Sequence, residues 1–546
     1  MGILSNIEPK EVFHYFEELS MVPRSTFHTK KISDFCVEFA KAHNLEYIQD
    51  EVNNVIIKKP GTAGYENSDP VIIQGHLDMV ATKTTDSDHD FENDPLDLFV
   101  DGDLIGAKNT TLGGDDGIAV AYAMAILAST DIPHPPIEAV FTIDEEIGMG
   151  GAHHLDTSVL KGKICLNIDS EIEGVMTVGC AGGYIYDTFI PIEWSEENGT
   201  KMTISISDLQ GGHSGAEIQN QLGNAHKIMG RVLYALAKDY DFNIVSTNGG
   251  NAANVIAQYN TTEIIADPAQ AQAIADAVTG LEQTISAEFA GQEPTLSLNA
   301  VSEGETALKA FDADTTAHVI GFLYGAIDGV QCYDRAFPTA VESSLNTGIV
   351  ETTEDTVKIK FQVRSSVATK LDDMRNKLDL ATDLAGASRE ISGEYPAWSY
   401  NADSVIRPKA IELYKEMFGK EPTVETTHGG LECGILFGKK NDLDIISFGP
   451  ELTGVHTYNE RVHIESTKRM WDYLKELRFP VLNILQETCF REALSRKFLH
   501  SIFRSQEHSC TLTPYSRWLI TTSSQSIRKS KGLSGFTKSH LMRRAS

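Results

Sequence analysis

His76 and Asp78 stand two residues apart at the end of the apolar run Val71-Ile72-Ile73. On an extended chain their side chains leave from one face. The carboxylate could then occupy one imidazole nitrogen and leave the other for a transition metal. A strand end meeting solvent explains the isolated pair equally simply. Further acids recur in similar places. Gly113-Gly114-Asp115-Asp116-Gly117 leads into the alanine-rich segment Ile118 to Ala128. One of these two aspartates could cap a helix there while the other serves chemistry. Ile137 to Ile143 ends in Asp144-Glu145-Glu146, three acids that need either a cation or full solvation. Ile164 to Ile168 ends in Asp169, and His456 follows the apolar stretch Leu443 to Phe448. Together His76, Asp115, Glu146, Asp169 and His456 offer two imidazoles and three carboxylates. That donor set suits two borderline divalent ions such as zinc, with one carboxylate bridging. Two such ions can activate a water and polarise a carbonyl together, and Glu145 is left over as a proton carrier.

The elements that would position these residues alternate. Helical spacing runs over Glu8 to Ser20 and Thr29 to His43, strand spacing over Asn54 to Lys59 and Val71 to Ile73, then the helix near Ile118. Alternating strands and helices imply a largely parallel α/β sheet, whose ligands bind beyond the carboxyl ends of its strands. From Tyr184 the texture changes. Tyr186 to Ile192, Met202 to Ser207 and Val357 to Val363 alternate apolar and polar residues, as half-buried antiparallel strands do. Helices are predicted over 221–239, 268–288 and 314–328, and the loop Gly211-Gly212-His213-Ser214-Gly215 frames a histidine with glycines. The first pattern then returns, with helices over Arg407 to Phe418 and Arg461 to Leu477. An α+β domain is therefore expected as an insertion, 185–395, within a discontinuous metal-binding domain, 1–184 and 396–482.

Composition narrows the function classes. The chain has 546 residues and a formal charge of −31; the segment from Val481 onward carries eleven Lys/Arg against three Asp/Glu, or +8, which leaves −39 on residues 1–480. So acidic a body argues against nucleic acid or an anionic membrane as partner and suits attraction of cations. No apolar run approaches the ~20 residues that cross a bilayer, and no basic-then-apolar leader opens the chain. The seven cysteines are scattered without a C-x-x-C pair, which fits a reducing cytoplasm. Val178-Gly179-Cys180-Ala181-Gly182-Gly183 lacks the order of a dinucleotide fingerprint. The basic segment 483–546, rich in Ser, Thr and Arg, is expected to be a disordered tail.

Taken together, Gly75-His76-Leu77-Asp78, Gly113-Gly114-Asp115-Asp116-Gly117, Asp144-Glu145-Glu146, Asn167-Ile168-Asp169, Gly211-Gly212-His213-Ser214-Gly215 and Gly454-Val455-His456 resemble, in that order, the motifs of a known family. It is the co-catalytic zinc exopeptidases of the aminoacylase, carnosinase and succinyl-diaminopimelate desuccinylase group, and the likeness covers roughly residues 1–482. The resemblance implies a zinc-exopeptidase-like α/β catalytic domain with a mixed, mostly parallel sheet, plus an inserted α+β lid or dimerisation domain. It implies two divalent ions, zinc first and cobalt or manganese as alternatives, with Asp115 bridging. His76 and Asp169 would complete one site, Glu146 and His456 the other. Asp78 would orient His76, Glu145 would be the general base, and the peptide after Asp115 would be cis. His213 would stabilise the oxyanion, while Asn254, Arg364 and the backbone of Gly430 would bind substrate. The activity implied is hydrolysis of unblocked dipeptides, including Xaa-His and β-alanyl-histidine. A deacylase or tripeptidase on the same scaffold is the alternative, and a non-catalytic binding protein a third reading. Small peptides are the expected partners, with a homodimer open.

Overall fold

A computed structural model of the chain describes residues 2–477. The tail expected over 483–546 lies outside the described residues. Among the described residues no helix is long and apolar enough to cross a membrane.

The metal-binding motifs hang on an eight-stranded sheet. Its order is Glu46–Gln49, Val55–Lys59, Ile137–Thr142, Val71–His76, Ile164–Asn167, Asp444–Ser447, Val175–Cys180 and Thr423–Thr427. The four strands from Ile137–Thr142 to Asp444–Ser447 pair in parallel, and the two at the Glu46 edge pair antiparallel. Every position of Val71–His76 and Ile137–Thr142 is buried. That explains their near-continuous apolar sequence: both faces of a central parallel strand are covered. The helix Gly114–Ala128 is buried almost throughout and packs on Val71–His76 and on Lys10–Ser20.

Residues 182–395 build a second sheet of nine strands, all of whose pairings are antiparallel. Helices Ala225–Leu236, Ala271–Glu288, Ala313–Gly325 and Ala368–Leu384 bury their apolar residues with those of this sheet in one core, which includes Met202, Ile204, Val232, Ile274, Phe322 and Phe361. The chain passes between the two sheets at residue 181 on the way out and beyond Tyr395 on the way back.

A third, four-stranded sheet joins Leu98–Asp101 and Leu104–Ala107 to Leu452–Thr453 and Arg461–His463. Here the structure corrects a sequence expectation. The helix predicted from Arg461 begins only at Ile464, and Arg461–His463 is a strand. Pairing of Val462 with Ile105 decides the local conformation, since tertiary contacts override a short stretch's propensity.

Candidate metal centre

Three of the expected ligands lie at or just beyond the carboxyl ends of the parallel strands. His76 ends its strand, Glu146 lies four residues beyond Thr142, and Asp169 two beyond Asn167. Asp115 comes from the first turn of Gly114–Ala128, where Asp115 and Asp116 have non-helical dihedrals and the peptide between them is cis. His456 follows the short strand Leu452–Thr453.

Asp115 lies between the two imidazoles. Its Oδ1 is 3.1 Å from His76 Nε2, and its Oδ2 is 3.2 Å from His456 Nε2. His456 Nε2 is 2.9 Å from Glu146 Oε2, and His76 Nε2 is 3.9 Å from Asp169 Oδ1. Among the described residues two groups hold their ligand atoms within 4.8 Å of one another: His76, Asp115 and Glu146, and His76, Asp116 and Asp169. The second group brings in Asp116, whose Oδ2 also accepts the His76 amide at 3.3 Å. Glu146 Oε1 is buried without a hydrogen-bond partner among the described residues. An orphaned carboxylate oxygen beside two imidazoles and three more carboxylates fits a divalent cation.

Asp78 fixes this geometry. His76 Nδ1 lies 3.1 Å from the Asp78 carbonyl and 3.5 Å from its carboxylate, which leaves Nε2 aimed at Asp115. The same carboxylate accepts the amides of Glu145 at 3.1 Å and Glu146 at 3.4 Å, and the Thr26 hydroxyl at 2.9 Å. One side chain thus orients a histidine and anchors the turn carrying two acids.

The electrostatics are those of a crowded anion. Burial would raise the Asp115 carboxyl, yet hydrogen bonds from His456 and His76 hold it well below the usual range. Hydrogen bonds to Asp115 and Glu146 push His456 up to about 11. Burial, then the charges of Glu432, Asp115 and Glu146, push Glu145 up to about 8 against the pull of His76. Burial and neighbouring carboxylates also raise Asp116 and Asp169. So many carboxyl groups stay ionised together only around added positive charge.

Two further charged residues, neither marked by any motif or spacing, brace the ligand loops. Glu460, 2 % exposed, accepts four consecutive amides: Leu112 at 2.7 Å and Gly113 at 2.9 Å on Oε2, Gly114 at 2.7 Å and Asp115 at 3.2 Å on Oε1. Arg24, also 2 % exposed, donates to the carbonyls of Leu77 at 2.9 Å, Asp78 at 3.2 Å and Gly113. Gly113 has φ +66°, and a side chain there would press on the Arg24 guanidinium. Beneath the ligands, buried Glu432 accepts Thr142 Oγ1 at 2.6 Å and Gln74 Nε2 at 2.7 Å.

His213, Asn254, Arg364 and Gly430 form a separate group. The Asn254 carbonyl accepts the Ser214 amide at 2.8 Å. A Cβ on Gly215 would lie 2.9 Å from the His213 ring and 3.4 Å from the Arg364 guanidinium. Arg364 donates to the Tyr395 hydroxyl at 2.9 Å, and a Cβ on Gly430 would lie 2.7 Å from the Tyr395 ring. Burial, with Arg364 adding to it, lowers His213, and the same two causes push His428 down to about 4. Arg364 Nε is buried without a hydrogen-bond partner among the described residues. Among the described residues no hydrogen bond or ion pair joins His213 to the five candidate ligands. Tyr395 packs against Met149 and Ile435, close in sequence to Glu146 and Glu432.

Comparison with known proteins adds to this geometry. The profile of peptidase family M20/M25/M40 matches residues 72–477. The cytosol non-specific dipeptidase of Escherichia coli (strain K12) is 35 % identical over 483 residues, covering 87 % of this chain and 99 % of the relative. The crystal structure of aminoacylhistidine dipeptidase from Vibrio alginolyticus superimposes with a TM-score of 0.83 at 32 % identity, over 88 % of this chain and 98 % of that one. The aminopeptidase PepT of Bacillus cereus, at 15 % identity and TM-score 0.51 over 87 % of this chain and 99 % of that one, shares the fold.

Proposed function

Because this chain belongs to peptidase family M20/M25/M40, we propose that it hydrolyses unblocked dipeptides, Xaa-His and β-alanyl-histidine among them, at a pair of divalent ions. The observation that carries this reading is Asp115, whose two oxygens face two different histidines. It is a peptide hydrolase of that family, and the E. coli relative is named as a dipeptidase. The donor set favours zinc, with cobalt or manganese as substitutes. His76 and Asp169 would hold one ion, Glu146 and His456 the other, and Asp115 both. Bound there, the ions would lower the pKa of a shared water and polarise the scissile carbonyl.

The chain's own residues do the rest. Glu145, held at its amide by Asp78, takes a proton from the attacking water and returns it to the leaving amine. His213 donates to the developing oxyanion. Arg364 offers its guanidinium fork to the substrate's terminal carboxylate, with Asn254 and the Gly430 backbone completing that end. Residues 185–395 would act as a lid over residues 1–184 and 396–482, and as the contact of a homodimer. A cytoplasmic setting goes with this reading, supported by the name of the E. coli relative.

The test is hydrolysis of Ala-His, β-Ala-His and N-acetyl amino acids, before and after chelation. Cleavage of the two dipeptides that stops on metal removal is expected. Cleavage of the acylated substrates alone would overturn the reading in favour of a deacylase.

A further inference from the structure

Arg364 is 8 % exposed, yet only one of its guanidinium nitrogens is spent on the protein. Nη1 donates to the Tyr395 hydroxyl at 2.9 Å and reaches the His428 carbonyl only at 3.5 Å. Among the described residues no hydrogen bond or ion pair engages Nε or Nη2, and Nε is buried. Nε and Nη2 form the edge that takes a carboxylate with two parallel hydrogen bonds. Where that open edge points is set by what holds Nη1, and the nearer of its two partners is Tyr395.

Tyr395 also ties Arg364 to the metal centre. It closes the last strand of the second sheet, Ser388–Tyr395, where it pairs with Gly183. A Cβ on Gly183 would lie 2.8 Å from the Tyr395 hydroxyl, so the side chain lies close against that backbone. The ring packs with Met149, Ala152 and Ile435. A Cβ on Gly430 would lie 2.7 Å from the ring and 3.3 Å from the Met149 methyl. Met149 lies three residues beyond Glu146, and its amide donates to the Glu145 carbonyl at 3.0 Å. One aromatic ring and one methionine therefore connect the Arg364 fork to the turn that carries Glu145 and Glu146.

Resting on the dipeptidase reading, we infer that Tyr395 is a positioning residue that fixes the Arg364 fork at a set distance from the metal centre, and that this distance selects two-residue substrates. The hydroxyl aims the guanidinium, and the ring sets how far it stands from Glu145 and Glu146. In a dipeptide the terminal carboxylate lies one residue beyond the scissile carbonyl. A tripeptide cleaved at its first bond carries that carboxylate one residue further, about 3.3–3.6 Å on an extended chain. A fork held through a packed ring does not follow that displacement. The longer substrate then leaves the buried edge of Arg364 without its partner, which disfavours it.

The experiment compares wild type, Tyr395→Phe, Arg364→Ala and the double variant on Ala-His and Ala-Ala-His, with metal content and thermal stability measured on each. Tyr395→Phe keeps the ring and removes only the acceptor of Nη1. It is expected to lose roughly 10-fold in kcat/KM on Ala-His, the worth of one hydrogen bond to a charged group, chiefly through KM. The ratio of Ala-Ala-His to Ala-His turnover should rise, because the released guanidinium can follow the longer chain. Metal content should stay at the wild-type value. In the Arg364→Ala background, Tyr395→Phe should cost less than about 2-fold, since the hydroxyl acts only through Arg364. A merely structural hydroxyl would cost the same in both backgrounds. Unaltered kcat/KM in Tyr395→Phe, an unaltered ratio of the two substrates, or equal losses with and without Arg364 would overturn this inference. With wild type still cleaving Ala-His, each of these results leaves the dipeptidase reading standing. A wild type that cleaves only acylated substrates would overturn both.

Discussion

Replacing Glu460 by glutamine removes one carboxylate oxygen from a brace of four buried amides. Each oxygen of Glu460 accepts two of them, at 2.7 and 2.9 Å on one side and 2.7 and 3.2 Å on the other. Glutamine keeps one acceptor and turns an NH2 group toward the remaining two donors. A buried donor without a partner costs about 1–3 kcal/mol, so the pair costs about 2–6 kcal/mol. The affected amides belong to Leu112–Asp115, the segment that delivers the shared metal ligand. The loss should appear twice: as a lower unfolding midpoint in metal-free protein, and as weaker metal binding. Altering a group that holds a ligand in place typically costs about 10- to 100-fold in metal affinity. Denaturant unfolding after dialysis against chelator reads the first, and competition against a chelating dye reads the second. An unfolding midpoint equal to wild type, together with metal affinity within about 2-fold, would refute the reasoning.

Glu145→Gln should retain its metal and lose roughly 100- to 10,000-fold in kcat, as expected on removal of a general base; full turnover would remove Glu145 from the mechanism. His226, fully buried beside Asn260, is pushed down to about 3 by burial, with Lys227 adding to the effect. A histidine kept neutral in the fold stabilises it fully above pH 6.5, and that contribution is lost as pH falls from 6.5 toward 3. The loss runs at about 1.4 kcal/mol per pH unit. The difference in unfolding free energy between wild type and His226→Asn should therefore shrink by about 2 kcal/mol from pH 7 to pH 5. Parallel pH profiles for the two proteins would count against a buried neutral imidazole.

The metal centre was more legible in the sequence than the structure that supports it. Each expected ligand follows an apolar run or opens an apolar helix, because a parallel sheet buried on both faces exposes its chemistry only beyond its strand ends. His76, Glu146 and Asp169 are of this kind, and the continuous apolar runs before them mark the strands clearly. Arg24 and Glu460 were not legible. Glu460 acts on amides about 345 residues away in sequence, and its partners are backbone groups, which leave no trace in residue type. The small sheet joining Leu98–Ala107 to Leu452–His463 was missed for a related reason. Its strands are two to four residues long and complete only when segments far apart in the chain meet. Ser297–Phe311 gave no alternation either, since much of that edge strand is exposed and is held by its pairing with Trp194–Ser207.

The most direct measurement is the number of metal ions bound per chain in wild type and in Asp115→Ala, by titration into metal-free protein. If the carboxylate of Asp115 is shared between two ions, wild type binds two equivalents tightly and the variant loses tight binding at both positions. An Asp115→Ala protein that still takes up two equivalents with wild-type affinity would contradict the shared centre, and with it the assignment of His76, Asp169, Glu146 and His456 as its remaining ligands.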